Sequence, residues 1–127
     1  MANENKLSES RSHTSLDNRF LIGVIADEET TIGFLMAGIG EVDGLTRNYF
    51  IVNKETESAD IEKYFFDLYN RKDMGAILIG SDLFLKIKNI LNKAKLKKNL
   101  PILLEIPTRK AILENIALDV EGLENQD

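Results

Sequence analysis

The residues best suited to chemistry in this 127-residue chain are carboxylates that follow short apolar runs. Asp27, Glu28 and Glu29 come directly after the first run, and Asp82 comes shortly after the third. Carboxylate oxygens are the ligands that Mg²⁺ prefers in proteins, and a lysine such as Lys110 would neutralise a phosphoryl group beside the ion. The sequence therefore allows a magnesium-dependent phospho-acceptor site built from Asp27, Glu28 and Asp82.

A structural interpretation of the same acids is favoured. Acidic side chains stabilise the positive N-terminal end of a helix, and a helical pattern begins directly after Asp27. Ser81 precedes Asp82 and is the predicted N-cap of a later helix. We therefore keep the metal site as the alternative, in which the chain is a receiver-like signalling domain that binds magnesium.

Four glycines between residues 33 and 44, in the stretch GFLMAGIGEVDG, resemble a phosphate-binding loop. The stretch lacks the Lys and the Ser or Thr that a P-loop needs after its second glycine. It also comes one predicted helix too late for a dinucleotide fold, in which the glycine-rich turn follows the first strand directly. We predict instead that Gly38 and Gly40 end a helix and that residues 41–47 form a surface loop.

The remaining chemical features favour no enzyme. Six lysines and no acid lie between residues 86 and 99, and an anion-binding surface centred on Lys86 to Lys98 is the third hypothesis. A solvated helix face explains these lysines better, because no aromatic residue lies between them to stack on bases.

The single histidine, His13, lies in a polar segment, and the chain has no cysteine. The sequence therefore predicts no catalytic residue, no metal and no cofactor.

Composition fits one globular domain. The chain is 43% hydrophobic and 29% charged, and its net charge of -5 argues against a general nucleic-acid binder. No apolar run is long enough to span a membrane, and residues 1–19 lack the apolar core of a signal peptide. We expect residues 1–19 to be a flexible arm, since they have too few apolar side chains to offset the entropy of ordering.

The elements that position these residues alternate between strand and helix. Apolar runs typical of buried parallel strands lie at 20–26, 49–52, 75–80 and 101–106. Segments of helical period lie between them, with predicted apolar stripes of Ile32, Leu35, Met36 and Ile39, then Ile61, Tyr64, Phe65 and Leu68, then Leu83, Ile87, Ile90, Leu91 and Ala94. Phe66 and Tyr69 fall off the second stripe and could cover a neighbouring element or a partner.

This alternation predicts a small doubly wound α/β domain at residues 20–107, with a four-stranded parallel sheet flanked by helices. The topology is Rossmann-like and receiver-like. Pro107 forces the residue before it to be extended, so we expect a hinge there. Residues 108–127 are then a mobile C-terminal helix and tail.

Five segments of the chain together resemble the F subunit of the vacuolar-type proton ATPase (V-ATPase). They are IADEET at 25–30, TIGFLMAGIGEV at 31–42, NYFIV at 48–52, IEKYFFDLYNRKDMGAILI at 61–79 and ILLEIPTR at 102–109. The resemblance runs in register over residues 20–110. It implies a non-catalytic component of the soluble V1 sector, with ATP hydrolysis carried out by other subunits.

The resemblance also implies partners and a location. In the family, the domain lies on the central rotor stalk beside the coiled-coil D subunit, and a mobile C-terminal helix runs along that coiled coil. We therefore expect a rotor component that couples ATP hydrolysis to rotation and proton pumping, in a hetero-oligomer with the D subunit and other V1 subunits. No nucleic-acid partner is expected. The expected location is the cytoplasmic face of vacuolar and other endomembranes, reached only through the assembled complex.

Two segments carry the expected partner contacts. The loop Glu41 to Arg47 resembles a loop implicated in coupling in the family, and the last helix presents an apolar face. The candidate residues are Glu41, Val42, Asp43, Leu45, Arg47, Ile112, Leu113 and Ile116. After Lys110 the chain has five acids and no base, whereas family members usually have a longer polar stretch and then a basic helix here.

Overall fold

The computed structural model of the protein describes residues 21–40, 42–43, 46–95 and 98–124. In chain order the elements are β1 (Leu21–Ala26), α1 (Glu28–Met36), β2 (Val42–Asp43), β3 (Thr46–Arg47), β4 (Tyr49–Ile51), α2 (Ser58–Tyr69), β5 (Met74–Gly80), α3 (Ser81–Ala94), β6 (Ile102–Ile106) and α4 (Arg109–Glu124). The expected arm at 1–19 lies outside the described residues, and so do two of the candidate contact residues, Glu41 and Leu45.

Four strands form one parallel sheet in the order β4-β1-β5-β6. The central strands β1 and β5 are buried on both faces over most of their length, which explains why they appear in the sequence as continuous apolar runs. The predicted α/β fold with a four-stranded parallel sheet is confirmed. Residues 42–47 differ from the expected loop, because β2 and β3 pair in an antiparallel ladder that joins Val42 to Arg47.

The larger core cluster lies between the sheet and helices α2 and α3. Ile25 and Ile77 of the sheet pack there with Phe65 of α2 and Ile87 of α3, and all four side chains are fully buried. Tyr69, which the sequence assigns to contact with either a neighbouring element or a partner, is only 2% exposed, and its ring stacks on Phe65 with 5.1 Å between centroids. The aromatic band of α2 therefore belongs mainly to the core.

The smaller cluster lies on the opposite face, where α1 covers β1 and β4. Val24, Ala26 and Leu78 are buried there, with Phe34 and Ile39 packed against them. The predicted stripe of α1 was wrong at Ile32 and Met36, which are 43% and 85% exposed, whereas Ile39 packs against the cluster as predicted. Its buried residue is Thr31, whose hydroxyl donates to the backbone oxygen of Ala26 at 3.2 Å. A hydrogen bond to the sheet, and not apolar periodicity, orients this nine-residue helix.

Candidate partner-binding surface

The acids that follow β1 are occupied by structural contacts. Asp27 is the N-cap of α1, and its Oδ1 accepts a hydrogen bond from the Thr30 N–H at 2.8 Å. Glu29 pairs with Arg109 at the start of α4, with 3.3 Å between Oε1 and Nη1. Within the described ranges no three acidic or histidine side chains are grouped so as to hold a metal ion. The structure therefore does not bring Asp27, Glu28 and Asp82 together as the magnesium site of the alternative hypothesis.

A hydrogen bond links the carboxyl ends of β5 and β6. Ser81 is the first residue of α3 and not its N-cap, because Gly80 takes the cap position. The Ser81 hydroxyl instead accepts from the N–H of Thr108 at 3.4 Å. Thr108 is buried and caps α4, since its Oγ1 accepts from the Ala111 N–H at 3.2 Å. Ser81 and Thr108 thus join the ends of two strands at the edge of the sheet where doubly wound proteins bind ligands.

The glycine-rich stretch ends α1, as the sequence predicts. Gly38 and Gly40 have φ angles of 84° and 85°, a left-handed conformation that glycine adopts without steric cost. The Ile39 N–H donates back to the Phe34 oxygen at 2.8 Å and closes the last turn of the helix. Residues 33–40 therefore form the end of a helix that precedes β2.

A side-chain network that sequence reasoning missed holds the start of β4. Arg71 donates to both carboxylate oxygens of Asp73, at 3.0 and 2.9 Å, and to the Oδ1 of the buried Asn48. The Arg47 guanidinium lies 5.2 Å from the centre of the Phe50 ring, a cation–π contact. Arg47, one of the candidate contact residues, is exposed. It lies shortly before β4, the strand whose start this network holds in place. The RKD triplet at 71–73, part of the motif that carries the family resemblance, was the signal available for this network.

Helix α4 presents an apolar stripe to solvent along its length. At about 3.6 residues per turn, five side chains fall within an arc of about 100°. These residues, named here the α4 stripe, are Ile112, Leu113, Ile116, Val120 and Leu123, and each is between 46% and 68% exposed. Three of them were predicted contact residues, whereas Val120 and Leu123 were missed although the same helical period continues through them. Asp119 borders the stripe, and Glu114 and Glu121 lie farther around the helix; all three are exposed.

A cleft of about 290 Å³ lies where α4 leaves the sheet. It is lined by Ser81, Glu105, Pro107, Ala111, Ile112 and Asn115. Ile112 also begins the α4 stripe, so the cleft and the stripe form one continuous surface. Glu105 is exposed and, among the described residues, no side chain pairs with its carboxylate.

Three lysines of the segment 86–98 make contacts at separate places in the described structure. Lys86 donates to the hydroxyl of Ser58 at 2.6 Å, and Lys88 lies over the ring of Phe84. The Lys98 ammonium is 5.1 Å from the centre of the Tyr69 ring. These separate contacts are typical of a solvated helix face, which was the favoured interpretation of this segment.

Comparison with known proteins identifies the family. The model of the ATP synthase (F/14-kDa) subunit family matches residues 22–121, which is most of the chain. The chain belongs to this family. Members similar to it include the F subunit of the V-type proton ATPase of Xenopus laevis, 38% identical over 88 residues, or 68% of this chain and 78% of the relative. The F subunit of Arabidopsis thaliana is 39% identical over 93 residues, or 72% of this chain and 71% of the relative.

The human V-type proton ATPase F subunit is 37% identical over 91 residues, which cover 71% of this chain and 75% of the relative. The resemblance to the V-ATPase F subunit that the sequence motifs predict is thereby confirmed. The match of the F/14-kDa family extends through Glu121, so it includes most of the α4 stripe. None of the described helices combines the length and the hydropathy that crossing a membrane requires.

Proposed function

We propose that the chain is the non-catalytic central-stalk F subunit of a V-type proton ATPase, where it binds the coiled-coil D subunit and couples ATP hydrolysis in V1 to rotation and proton pumping. Membership of the F/14-kDa family supports the complex. The observation that supports a contact with the D subunit is the α4 stripe. Five large apolar side chains on one helix face remain uncovered by the described part of the chain.

The shape of the stripe fits a helical partner. An apolar arc of about 100° is the width that an amphipathic helix buries against its neighbours, and it is wide enough to contain the narrower seam that helices share in a coiled coil. The spacing of Leu113, Ile116, Val120 and Leu123 alternates between three and four residues, as the seam of a coiled coil does. The D subunit, with its coiled coil, is the partner that this seam would bind.

The α/β domain supplies the rigid body that a rotor component needs. The start of α4 is fixed to this body by the Thr108 cap and by the hydrogen bond from Thr108 to Ser81. Residues 20–107 would turn with the stalk as one unit, and residues 108–127 would act as a mobile arm that docks on the D subunit. The β2–β3 ladder, with Val42, Asp43 and Arg47, is the second proposed contact, since Arg71 and Asn48 hold its exit into β4.

A pair of substitutions on α4 tests the proposal. Ile116→Asp places a charge in the stripe, whereas Leu118→Asp places the same charge about 160° away on the same helix. Ile116 is 52% exposed and Leu118 is 64% exposed, so both variants should keep the melting temperature of the parent. We expect Ile116→Asp to weaken binding to the D subunit at least tenfold and Leu118→Asp to bind like the parent.

Binding is measured by co-purification and by titration of the full chain against the D subunit. Equal binding by the two variants would show that the stripe is not the interface. A parent chain that stays monomeric in the presence of the D subunit would overturn the proposed function itself.

A further inference from the structure

The cleft beside α4 combines apolar walls with one uncompensated negative group. Pro107, Ala111 and Ile112 supply the walls, and the Glu105 carboxylate is the charged group in the lining. The nearest basic residue in sequence, Arg109, is engaged with Glu29 at 3.3 Å. The Glu105 carboxylate therefore faces solvent without an ion-pair partner among the described residues.

The other polar groups of the cleft could bind a cation. The Ser81 hydroxyl and the Asn115 side-chain oxygen are both acceptors in the lining. Lysine and arginine lay their methylene stems along apolar surface while the charged head reaches polar groups. A basic side chain thus matches both the walls and the carboxylate, whereas an acidic side chain would meet Glu105 with like charge and an apolar one would leave that carboxylate without a partner.

The cleft continues into the α4 stripe, so one partner would cover both. Ile112 belongs to the cleft and also begins the stripe. From residue 111 onward α4 carries acids and no base, so the exposed surface of the helix is negatively charged, and Asp119 borders the stripe itself. A helix that is complementary to this surface has an apolar seam with lysine or arginine beside it.

We propose that the cleft receives a lysine or arginine side chain from the helix that covers the α4 stripe, and that this basic anchor fixes the register of the partner helix on α4. The inference rests on the proposed function, in which that helix belongs to the D subunit. It adds a charge requirement that the stripe alone does not impose.

Neutralising the cleft tests the anchor. Glu105→Gln removes the charge and keeps the shape, and Glu62→Gln makes the same change at an exposed position on α2, away from the cleft. Titrated as full chains against the D subunit at low salt, Glu105→Gln should raise Kd about tenfold, because the partner's charge is left unpaired. Glu62→Gln should leave Kd unchanged. The difference should shrink in 1 M NaCl, where exposed charges are screened.

A second variant, with an added negative charge, tests the anchor through a gain of binding instead of a loss. Asn115→Asp introduces another carboxylate into the cleft and should lower Kd for a cationic anchor. Weaker binding by Asn115→Asp, or a Glu105→Gln variant that binds like Glu62→Gln, would overturn the anchor. If Ile116→Asp still abolishes binding in that case, the stripe and the proposed function stand. If Ile116→Asp also binds like the parent, the proposed interface has failed.

Discussion

Arg71 should contribute more to stability than its partly exposed ion pair with Asp73 implies. Its guanidinium donates to Asp73, and its Nη1 also donates to the Oδ1 of Asn48 and, at 3.5 Å, to the backbone oxygen of Arg47. Asn48 is only 4% exposed and lies directly before β4. Arg71→Ala would therefore break an exposed ion pair and also remove a charged donor from a buried amide.

The two parts of this contact have different magnitudes. The side chains of Arg71 and Asp73 are 20% and 46% exposed, so the ion pair contributes at most about 1 kcal/mol. The charge-assisted hydrogen bond to buried Asn48 should contribute about 2 kcal/mol. We expect Arg71→Ala to lower the free energy of unfolding by about 3 kcal/mol in total.

Arg71→Lys separates the two parts. Lysine keeps the positive charge but cannot make the forked contact with a carboxylate and reach a third group at the same time. It should recover only the ion pair and lose about 2 kcal/mol. Lys72→Ala is the control, since Lys72 is exposed and should change stability by less than about 0.5 kcal/mol.

Urea unfolding of the full chain measures these differences through the midpoint, provided that the slope is unchanged. In 1 M NaCl most of the loss in Arg71→Ala should remain, because salt screens the exposed pair and not the bond to Asn48. An Arg71→Ala variant within about 0.5 kcal/mol of the parent, or full recovery by lysine, would refute the assignment of the stability to the buried amide.

Two further predictions concern backbone and cap. Gly38→Ala should cost about 1 kcal/mol from its positive φ alone, since a Cβ there meets no heavy atom within 4 Å. Gly40→Ala should cost about 1 kcal/mol more, because its Cβ would lie 3.3 Å from that of Tyr49; equal losses in thermal melts would contradict this contact. Asp27→Ala should cost about 1 kcal/mol and Asp27→Asn much less, since asparagine also caps helices. Millimolar MgCl₂ should leave the melting temperature of the parent unchanged, and a rise that Asp27→Asn abolishes would restore the metal site.

Much of the fold could be predicted because the elements carry their own patterns. The runs around Ile25 and Ile77 are apolar on both faces, which only a central strand of a covered parallel sheet requires. The period of Ile61, Phe65 and Leu68 marks the buried face of α2 in the same way. Patterns of this kind are local, so they can be recognised in the sequence without knowing which elements pack against each other.

The incorrect or open predictions concern residues whose burial is decided by contacts with other side chains or backbone groups. Tyr69 lies off the stripe of α2 and is buried because Phe65 and Lys98 pack against its ring. Thr31 is buried because the Ala26 oxygen accepts its hydroxyl proton, whereas the more apolar Met36 extends past the edge of the packed surface. The period of α1 does not encode the Thr31 contact, since its partner lies on β1, and the period of α2 does not encode the contact of Lys98 with Tyr69, although Phe65 lies one turn before Tyr69 on the same helix.

The candidate binding surface was likewise predictable from the sequence only in part. The sequence by itself determined the order of strands and helices, the family, and the apolar face of α4, because each depends on residue type and spacing along the chain. Only the tertiary structure decided that this face is uncovered by the described part of the chain, that Glu105 lies in a cleft continuous with it, and that Asp27 caps a helix while Glu29 pairs with Arg109. Those properties depend on distances between segments as far apart as Glu29 and Arg109, and such distances exist only once the chain has folded.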